Sequence, residues 1–446
     1  MTPATSAQVD ALLLLVSATF VMAVVPGLAF FYGGMTGAKG ASQAFRAALV
    51  GSAIVVLLAV LGGYGMLAGS PLIAHLVGRP DWGLADVFTP GKGTASTLYP
   101  LARAGYLIAV CAVAVTILGT AIASRVTLRA WAVFSALWSV LVLFPAGYAV
   151  FALGDGWAVA GMHVIDFGGA IPISLAAGSG AAGVILACGH RDHPVAGERR
   201  LPLVAAGGAL VWVGWFGLTV GSEGALDAFA PLIALNTLMA SAGGALMWII
   251  VDRVLLRRPT VTSALCGAVA GLVAITPASG VLTIGWSLLL GALAAIACAS
   301  MVDLAARARF GVPMTICVIH IVASLVGLLY IGLFANGDGM VDSGNFDLFV
   351  AQAVAGLGVA AYSFVVSLLI AIALRYTLGL TRLRYRADGG FPDEPRARDR
   401  ERAAADEEDA DQDAGYDPDS GYDPDSGGSA ADDAEALGGS AADSRG

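Results

Sequence analysis

The sequence predicts an all-α polytopic membrane protein of about eleven transmembrane helices followed by a disordered acidic tail. Three observations carry that prediction. Of 446 residues, 57% are hydrophobic and only 13% charged, with a mean hydropathy of +0.79. Apolar stretches recur from Asp10 to Arg375 at the roughly 20-residue length that a bilayer core demands. Beyond Arg386 the composition changes abruptly to an acidic, Gly-, Pro- and Ser-rich segment that repeats GYDPDS at Gly415 and Gly421.

In chain order the apolar runs are 10–33, 43–68, 104–124, 130–153, 166–188, 202–221, 229–250, 260–277, 281–302, 313–335 and 349–375. The first lacks a basic n-region and a cleavage site, so it reads as a retained helix rather than a signal peptide. The pair 260–277 and 281–302 is the least separated, because only Pro277, Ala278, Ser279 and Gly280 divide it. The domain reading is therefore 1–386 for the membrane part and 387–446 for the tail, which is too poor in aliphatic residues to offset the entropy of ordering.

Cations set the orientation, since Lys and Arg near helix ends are retained on the cytoplasmic side. One set of junctions carries Lys39, Arg125 and Arg129, then Arg191, Arg199 and Arg200, then Arg253, Arg257 and Arg258, then Arg307 and Arg309, and last Arg382, Arg384 and Arg386. The alternate set is mainly acidic, with Asp10, Asp155, Glu223, Asp227, Asp338, Asp342 and Asp347, and with Arg79, Lys92 and Arg103 confined to the long second loop. An odd number of spans then puts the N-terminus outside and the C-terminus in the cytoplasm of a cell-membrane protein.

The polar chemistry inside the bilayer is sparse. Cys111, Cys188, Cys266, Cys298 and Cys317 lie in or beside apolar runs without CxxC spacing, and read as small hydrophobes. The histidines form no metal-ligand cluster; His190 and His193 sit with Arg191 in a basic loop. No phosphate loop, voltage-sensor arginine series or nucleic-acid-binding pattern occurs, and no cofactor is implied. His320 is the exception, an imidazole deep in the run from Pro313 to Phe334, where an ionisable group is costly unless it lines a cavity. The competing reading is a neutral structural histidine bonded to a neighbouring helix. Asp166 stands at the start of a helix, where a carboxylate caps backbone N–H groups, and Ser174 lies eight residues on. Abundant Gly and Ala, as in Gly33/Gly34, Gly168/Gly169 and Ala176 to Gly183, suit helices packed closely around a narrow path.

Three stretches, PGLAFFYGG (Pro26–Gly34), DFGGAIPISLAAGSGAAGVILACGHR (Asp166–Arg191) and GWFGLTVGS (Gly214–Ser222), resemble the ammonium transporter (Amt/Mep/Rh) family in the right order. The resemblance extends to about residue 380. It implies two inverted five-helix repeats, an eleventh helix packed across the bundle, and a homotrimer in which each protomer holds its own hydrophobic pore. The implied substrate is ammonium or ammonia, with methylammonium as an analogue.

Carried over residue by residue, the resemblance makes His320 the second of the family's twin pore histidines and puts Ser174 where the first would stand. Tyr106 and Val110 fall at or near pore-mouth phenylalanine positions, and Leu218 replaces another. Trp215 beside the pore and Ser222 at the outer mouth are retained. Phe151 stands where the family has a recruiting Trp, unless a shifted loop gives that place to Trp157. Asp166 matches the aspartate that organises the outer binding region, while its counterpart in the second half falls at Val312. The implied mechanism recruits a cation at Tyr106, Phe151 and Trp215 by cation–π contact of about 0.5–2 kcal/mol each, then passes it through a tube with a single histidine hydrogen-bonded to Ser174. The alternative is a poorly conducting ammonium sensor or divergent paralogue. An enzyme would need a second titratable group beside His320, so none is expected. The family's C-terminal Gly-Leu-Asp and His-Gly-Glu elements are missing from LTRLRYRADGGFPDEP, which places regulation by a PII-type partner in doubt.

Overall fold

An apolar chain that finds no water must close its backbone hydrogen bonds within each segment, which makes every membrane-crossing run a helix. The computed structural model describes residues 3–88, 95–189, 199–255, 258–308 and 310–381. The predicted tail, the domain boundary at 386, and His190, Arg191 and His193 lie outside the described residues.

The helices are α1 (Pro3–Gly34), α2 (Gly37–Ala68), α3 (Ala95–Ile122), α4 (Leu128–Phe151), α5 (Ile171–Cys188), α6 (Leu201–Gly221), α7 (Phe229–Val254), α8 (Val261–Ile275), α9 (Ile284–Arg307), α10 (Val312–Phe334) and α11 (Asp347–Thr377). Among the described residues, ten are long and apolar enough to cross a membrane. The eighth predicted span falls short of full length. With 15 residues, α8 is about 22 Å long, less than the ~30 Å hydrocarbon core. It stops early because the carbonyls beyond its end are taken by another segment: Gly168 N donates to Thr276 O at 2.8 Å and Phe167 N to Pro277 O at 3.0 Å.

Contacts recur between the two halves of the chain. α1 lies against α3, α6 lies against α8, and the α1–α6 contact forms the seam. Small residues make the seam close. A Cβ added at Gly207 would lie 2.2 Å from Phe31 N and 2.7 Å from Gly27 O, so only glycine allows α6 to approach α1 this nearly. The same logic joins α7 to α8, where Gly244 and Gly267 each meet the other's carbonyl oxygen. α3 is the most enclosed helix, with 89% of its apolar window buried, whereas α11 has 33% and lies on the outside of α5 and α10.

The bundle has two ends. At the Asp166 end, the loop after α2 folds into a small antiparallel hairpin, β1 (Pro71–Ile73) and β2 (Val77–Gly78). At the opposite end, guanidinium groups satisfy the last carbonyls of α5: Arg375 donates to Ala187 O at 3.0 Å and Arg125 to Gly189 O at 3.4 Å. Cations there complement the negative end of the helix dipole.

Candidate functional site

α5 starts five residues later than the apolar run suggests, because Asp166 folds back over its first turn. Asp166 Oδ1 accepts from Ala170 N at 2.6 Å and Oδ2 from Ile171 N at 2.8 Å, with the side chain buried. These bonds cap a helix N-terminus. The turn that follows, Ile171–Leu175, is wound wider than an α-helix and contains Ser174; such widened turns recur at functional positions in helices.

The segment behind Asp166 ties this cap to the second half of the chain. Gly168 meets Thr276, whose Oγ1 accepts from Trp215 Nε1 at 2.9 Å. Trp215 is fully buried on α6, so its indole N–H needs that partner. One turn further along α6, the Leu218 carbonyl accepts from both Tyr106 Oη and Ser222 Oγ, and the two hydroxyls lie 2.9 Å apart. The Tyr106 ring covers Gly221. Tyr106, Leu218 and Ser222 thus form one contact at the Asp166 end, and Val110 follows Tyr106 one turn deeper on α3, also buried. Phe151, half-buried at the end of α4, lies against Gly169, and Arg103 donates to its carbonyl at 3.0 Å.

Trp157 belongs to a neighbouring structure. Its N–H donates to His75 O at 3.1 Å, and the hairpin that carries His75 is held by Asp155. Asp155 Oδ2 accepts from His75 N and from Tyr148 Oη, each at 2.8 Å, while His75 Nδ1 lies 2.9 Å from Asp155 O. The His75 amide, then the Tyr148 hydroxyl and the His75 imidazole, hold the Asp155 carboxyl below the usual carboxylate range. A depressed folded value means this stabilisation is complete above about pH 4–5 and disappears as pH falls through the folded value. The protection of the His75 and Trp157 amides against hydrogen exchange, taken relative to the intrinsic rate at each pH, is therefore expected to fall on acidification below that range. Asp155→Asn should give the same loss of protection at neutral pH. Beside Ser222, burial and the neighbouring Asp227 push the Glu223 carboxyl up.

At mid-depth lies His320, 0% exposed on α10. The sequence reading paired it with Ser174; the structure pairs it with Tyr32. Nε2 lies 3.1 Å from Tyr32 Oη, and the rings meet edge-on with centroids 6.0 Å apart. The reason is reach: a phenol carries its hydroxyl across the helix contact, while a serine hydroxyl ends one bond beyond Cβ. Among the described residues, Ser174 Oγ, Ser324 Oγ and His320 Nδ1 have no hydrogen-bond partner. Tyr32 was legible within the PGLAFFYGG stretch but was not singled out. A tyrosine in so apolar a helix needs a hydroxyl partner, and that was the available signal.

Below Tyr32, toward the arginine end, lies a narrow pocket lined by Tyr32, Thr36, Thr120, Ser124, Val312 and Ile316 among others. Val312, the position lacking a second aspartate, forms part of this wall. The residues that the sequence singled out fall into separate contacts: Tyr106, Leu218 and Ser222 together, Trp215 with Thr276, Phe151 with Gly169, and His320 with Tyr32; Val110 and Ser174 are buried.

Comparison with known proteins gives concordant findings. The family model described as Ammonium Transporter Family matches residues 12–389. An ammonium transporter of Mycobacterium tuberculosis is 31% identical over 408 residues, covering 83% of this chain and 85% of its own. The solved Mep2 of Candida albicans superposes with a TM-score of 0.75 at 25% identity, over 85% of this chain and 86% of that one. A solved sensor Amt protein gives a TM-score of 0.77 at 22% identity, over 84% and 95% of the two chains; that likeness concerns the fold.

Proposed function

The chain belongs to the ammonium transporter family, and from that membership we propose that it carries ammonium or ammonia across the cell membrane through the helix bundle just described. The observation that carries the reading is the His320–Tyr32 pair, a buried polar step beside a narrow pocket in an otherwise apolar bundle. A bare ammonium ion would find too few partners in such a path. A neutral molecule with a lone pair and N–H groups would find hydrogen bonds at each polar step.

In this reading the Asp166 end faces outside and the arginine end faces the cytoplasm, as the positive-inside rule favours. Tyr106, Phe151, Trp215 and Ser222 receive the cation, with the carboxylate of Asp166 nearby. Val110 and Leu218 form an aliphatic constriction that strips water from competing sodium and potassium. His320 holds or passes the proton-bearing group. Methylammonium is the expected second substrate, three copies form the assembly, and the chain acts as a transporter rather than an enzyme. A PII-type partner is doubtful, because the family's C-terminal elements are missing from the sequence after the last helix.

A poorly conducting sensor is the second reading, favoured by one observation: Ser174 offers a hydroxyl where the family resemblance calls for an imidazole, and a hydroxyl does not titrate near neutral pH. Transient currents from proteoliposomes on a solid-supported membrane separate the two. Ammonium pulses are expected to evoke a current that potassium pulses do not. Silence to both, with ammonium binding and no alkalinisation of an internal pH dye, would favour the sensor. Silence with alkalinisation would mean electroneutral ammonia flow.

A further inference from the structure

Arg103, half-buried on α3, is a guanidinium whose hydrogen-bond partners are neutral. It donates to the Phe151 carbonyl at 3.0 Å and to the Tyr64 hydroxyl near the end of α2. Among the described residues it forms no ion pair with a carboxylate. Asp81 and Tyr99 are the other titratable groups close to the Tyr64 hydroxyl, and Asp81 already accepts from Asp86 N at 3.0 Å. Part of this arrangement has a plain cause. Phe151 ends α4, so its carbonyl belongs to a last turn whose oxygens lack intrahelical donors, and a cation there suits the helix dipole. A neutral donor would satisfy that carbonyl as well, so capping alone does not call for a charge left without a counter-ion.

The neighbours give the charge its consequence. The Phe151 ring lies against Gly169, where an added Cβ would meet Cζ at 2.4 Å, and Gly169 directly precedes Ala170, whose N–H Asp166 caps. Three residues along α3 from Arg103 stands Tyr106, a spacing that puts both on one helix face. The Tyr106 hydroxyl donates to the Leu218 carbonyl and lies 2.9 Å from Ser222 Oγ. Arg103 is thus bonded to one residue that the transport reading assigns to receiving ammonium and stands one turn from another. We propose that Arg103 sets the capture of ammonium: it holds Phe151 as a positioning residue, and its unpaired charge opposes the incoming cation, raising the half-saturating ammonium concentration. The proposal rests on the transport reading, which makes Phe151 and Tyr106 receiving residues. A guanidinium stays charged throughout the physiological range, so the opposition is constant. It acts on sodium and potassium as it does on ammonium, and it leaves neutral ammonia untouched. A unit charge about one helical turn away changes cation affinity by about three- to tenfold at a protein surface, and by less as salt screens it.

Arg103→Gln and Arg103→Lys separate the two parts, read as ammonium-evoked transient currents from proteoliposomes at low and high sodium chloride. Gln keeps a donor and loses the charge, so its half-saturating concentration is expected to fall about fivefold at low salt. Lys keeps the charge and loses the forked hold. Its half-saturating concentration should stay at the wild-type value while its maximal current and thermal midpoint drop. High salt should narrow the gap between Gln and the other two proteins. A capping role alone would instead lower maximal current and thermal midpoint in both variants, with half-saturation unmoved. An unchanged or raised half-saturating concentration in Arg103→Gln, or a gap that salt does not alter, would overturn the proposal while leaving the transport reading in place. Arg103→Met, equally uncharged, replaces Gln if that variant does not fold. If wild type gives no current, the transport reading loses its support, and calorimetric titration of the purified proteins with ammonium chloride applies the same fivefold and salt criteria to the dissociation constant. Absence of binding by wild type would overturn the proposal together with that reading.

Discussion

His320→Ala is expected to reduce the ammonium-evoked current to background, a loss of about 100-fold or more if the ring handles the transferred proton. The imidazole is fully buried and bonded to Tyr32 Oη, so truncation does three things together. It removes the proton-accepting group at mid-depth, leaves the Tyr32 hydroxyl without its partner, and opens a gap beside α5 at Gly178. Tyr32→Phe separates the first consequence from the second. It leaves the ring in place with Nε2 unpaired, and its expected cost is nearer tenfold, that of a single hydrogen bond. A large effect from His320→Ala with a small one from Tyr32→Phe would identify the ring as the conducting element. Equal effects would make the pair the functional unit. A potassium current appearing in His320→Ala would show that the ring also excludes hydrated cations. Wild-type ammonium current in His320→Ala would remove the histidine from the mechanism and restore the plain reading of a structural imidazole.

The sequence displayed the helices well because a bilayer leaves a chain few choices. The run 202–221 became Leu201–Gly221, and 313–335 became Val312–Phe334, each bounded by a change from apolar to polar residues. Boundaries moved where that change was not the physical terminator. α3 begins at Ala95, well before the run at 104, because helix winding continues through Pro100 and the polar residues around it. α5 begins at Ile171 because Asp166 caps it from a distance, and α8 ends at Ile275 because α5's leader claims the carbonyls beyond it. Tyr106, Leu218 and Ser222, which the sequence reading names separately, form one hydrogen-bonded contact. What periodicity and motif could not give was the pairing at the centre. Register between helices far apart in sequence depends on where small residues let backbones meet, and Gly178 and Gly207 fix it through contacts of a few ångströms. The choice of Tyr32 over Ser174 as the partner of His320 is a consequence of that register.

Asp166→Ala is expected to be the most destabilising single substitution at the site. It withdraws the acceptors of two backbone N–H groups in a buried helix start, and each orphaned donor costs ~1–3 kcal/mol. The first turn of α5 would then lose its fixed direction, and Ser174 lies in that turn. Transport would fail, but the failure would not show that the carboxylate attracts ammonium. Asp166→Asn distinguishes the two roles. An amide keeps one acceptor oxygen and loses the charge, so a purely capping residue predicts a partial drop in thermal midpoint with an unchanged half-saturating ammonium concentration in the proteins that remain folded. An electrostatic role predicts a higher half-saturating concentration, with the shortfall shrinking as ammonium is raised. The carboxyl group also sits at the positive end of α5, where the dipole favours its ionised form, so part of any field it has is already spent on the helix. The Asn variant should accordingly lose more stability than affinity. An Asp166→Ala protein with a wild-type thermal midpoint would show that the two short bonds to Ala170 and Ile171 are not what holds this end of the helix.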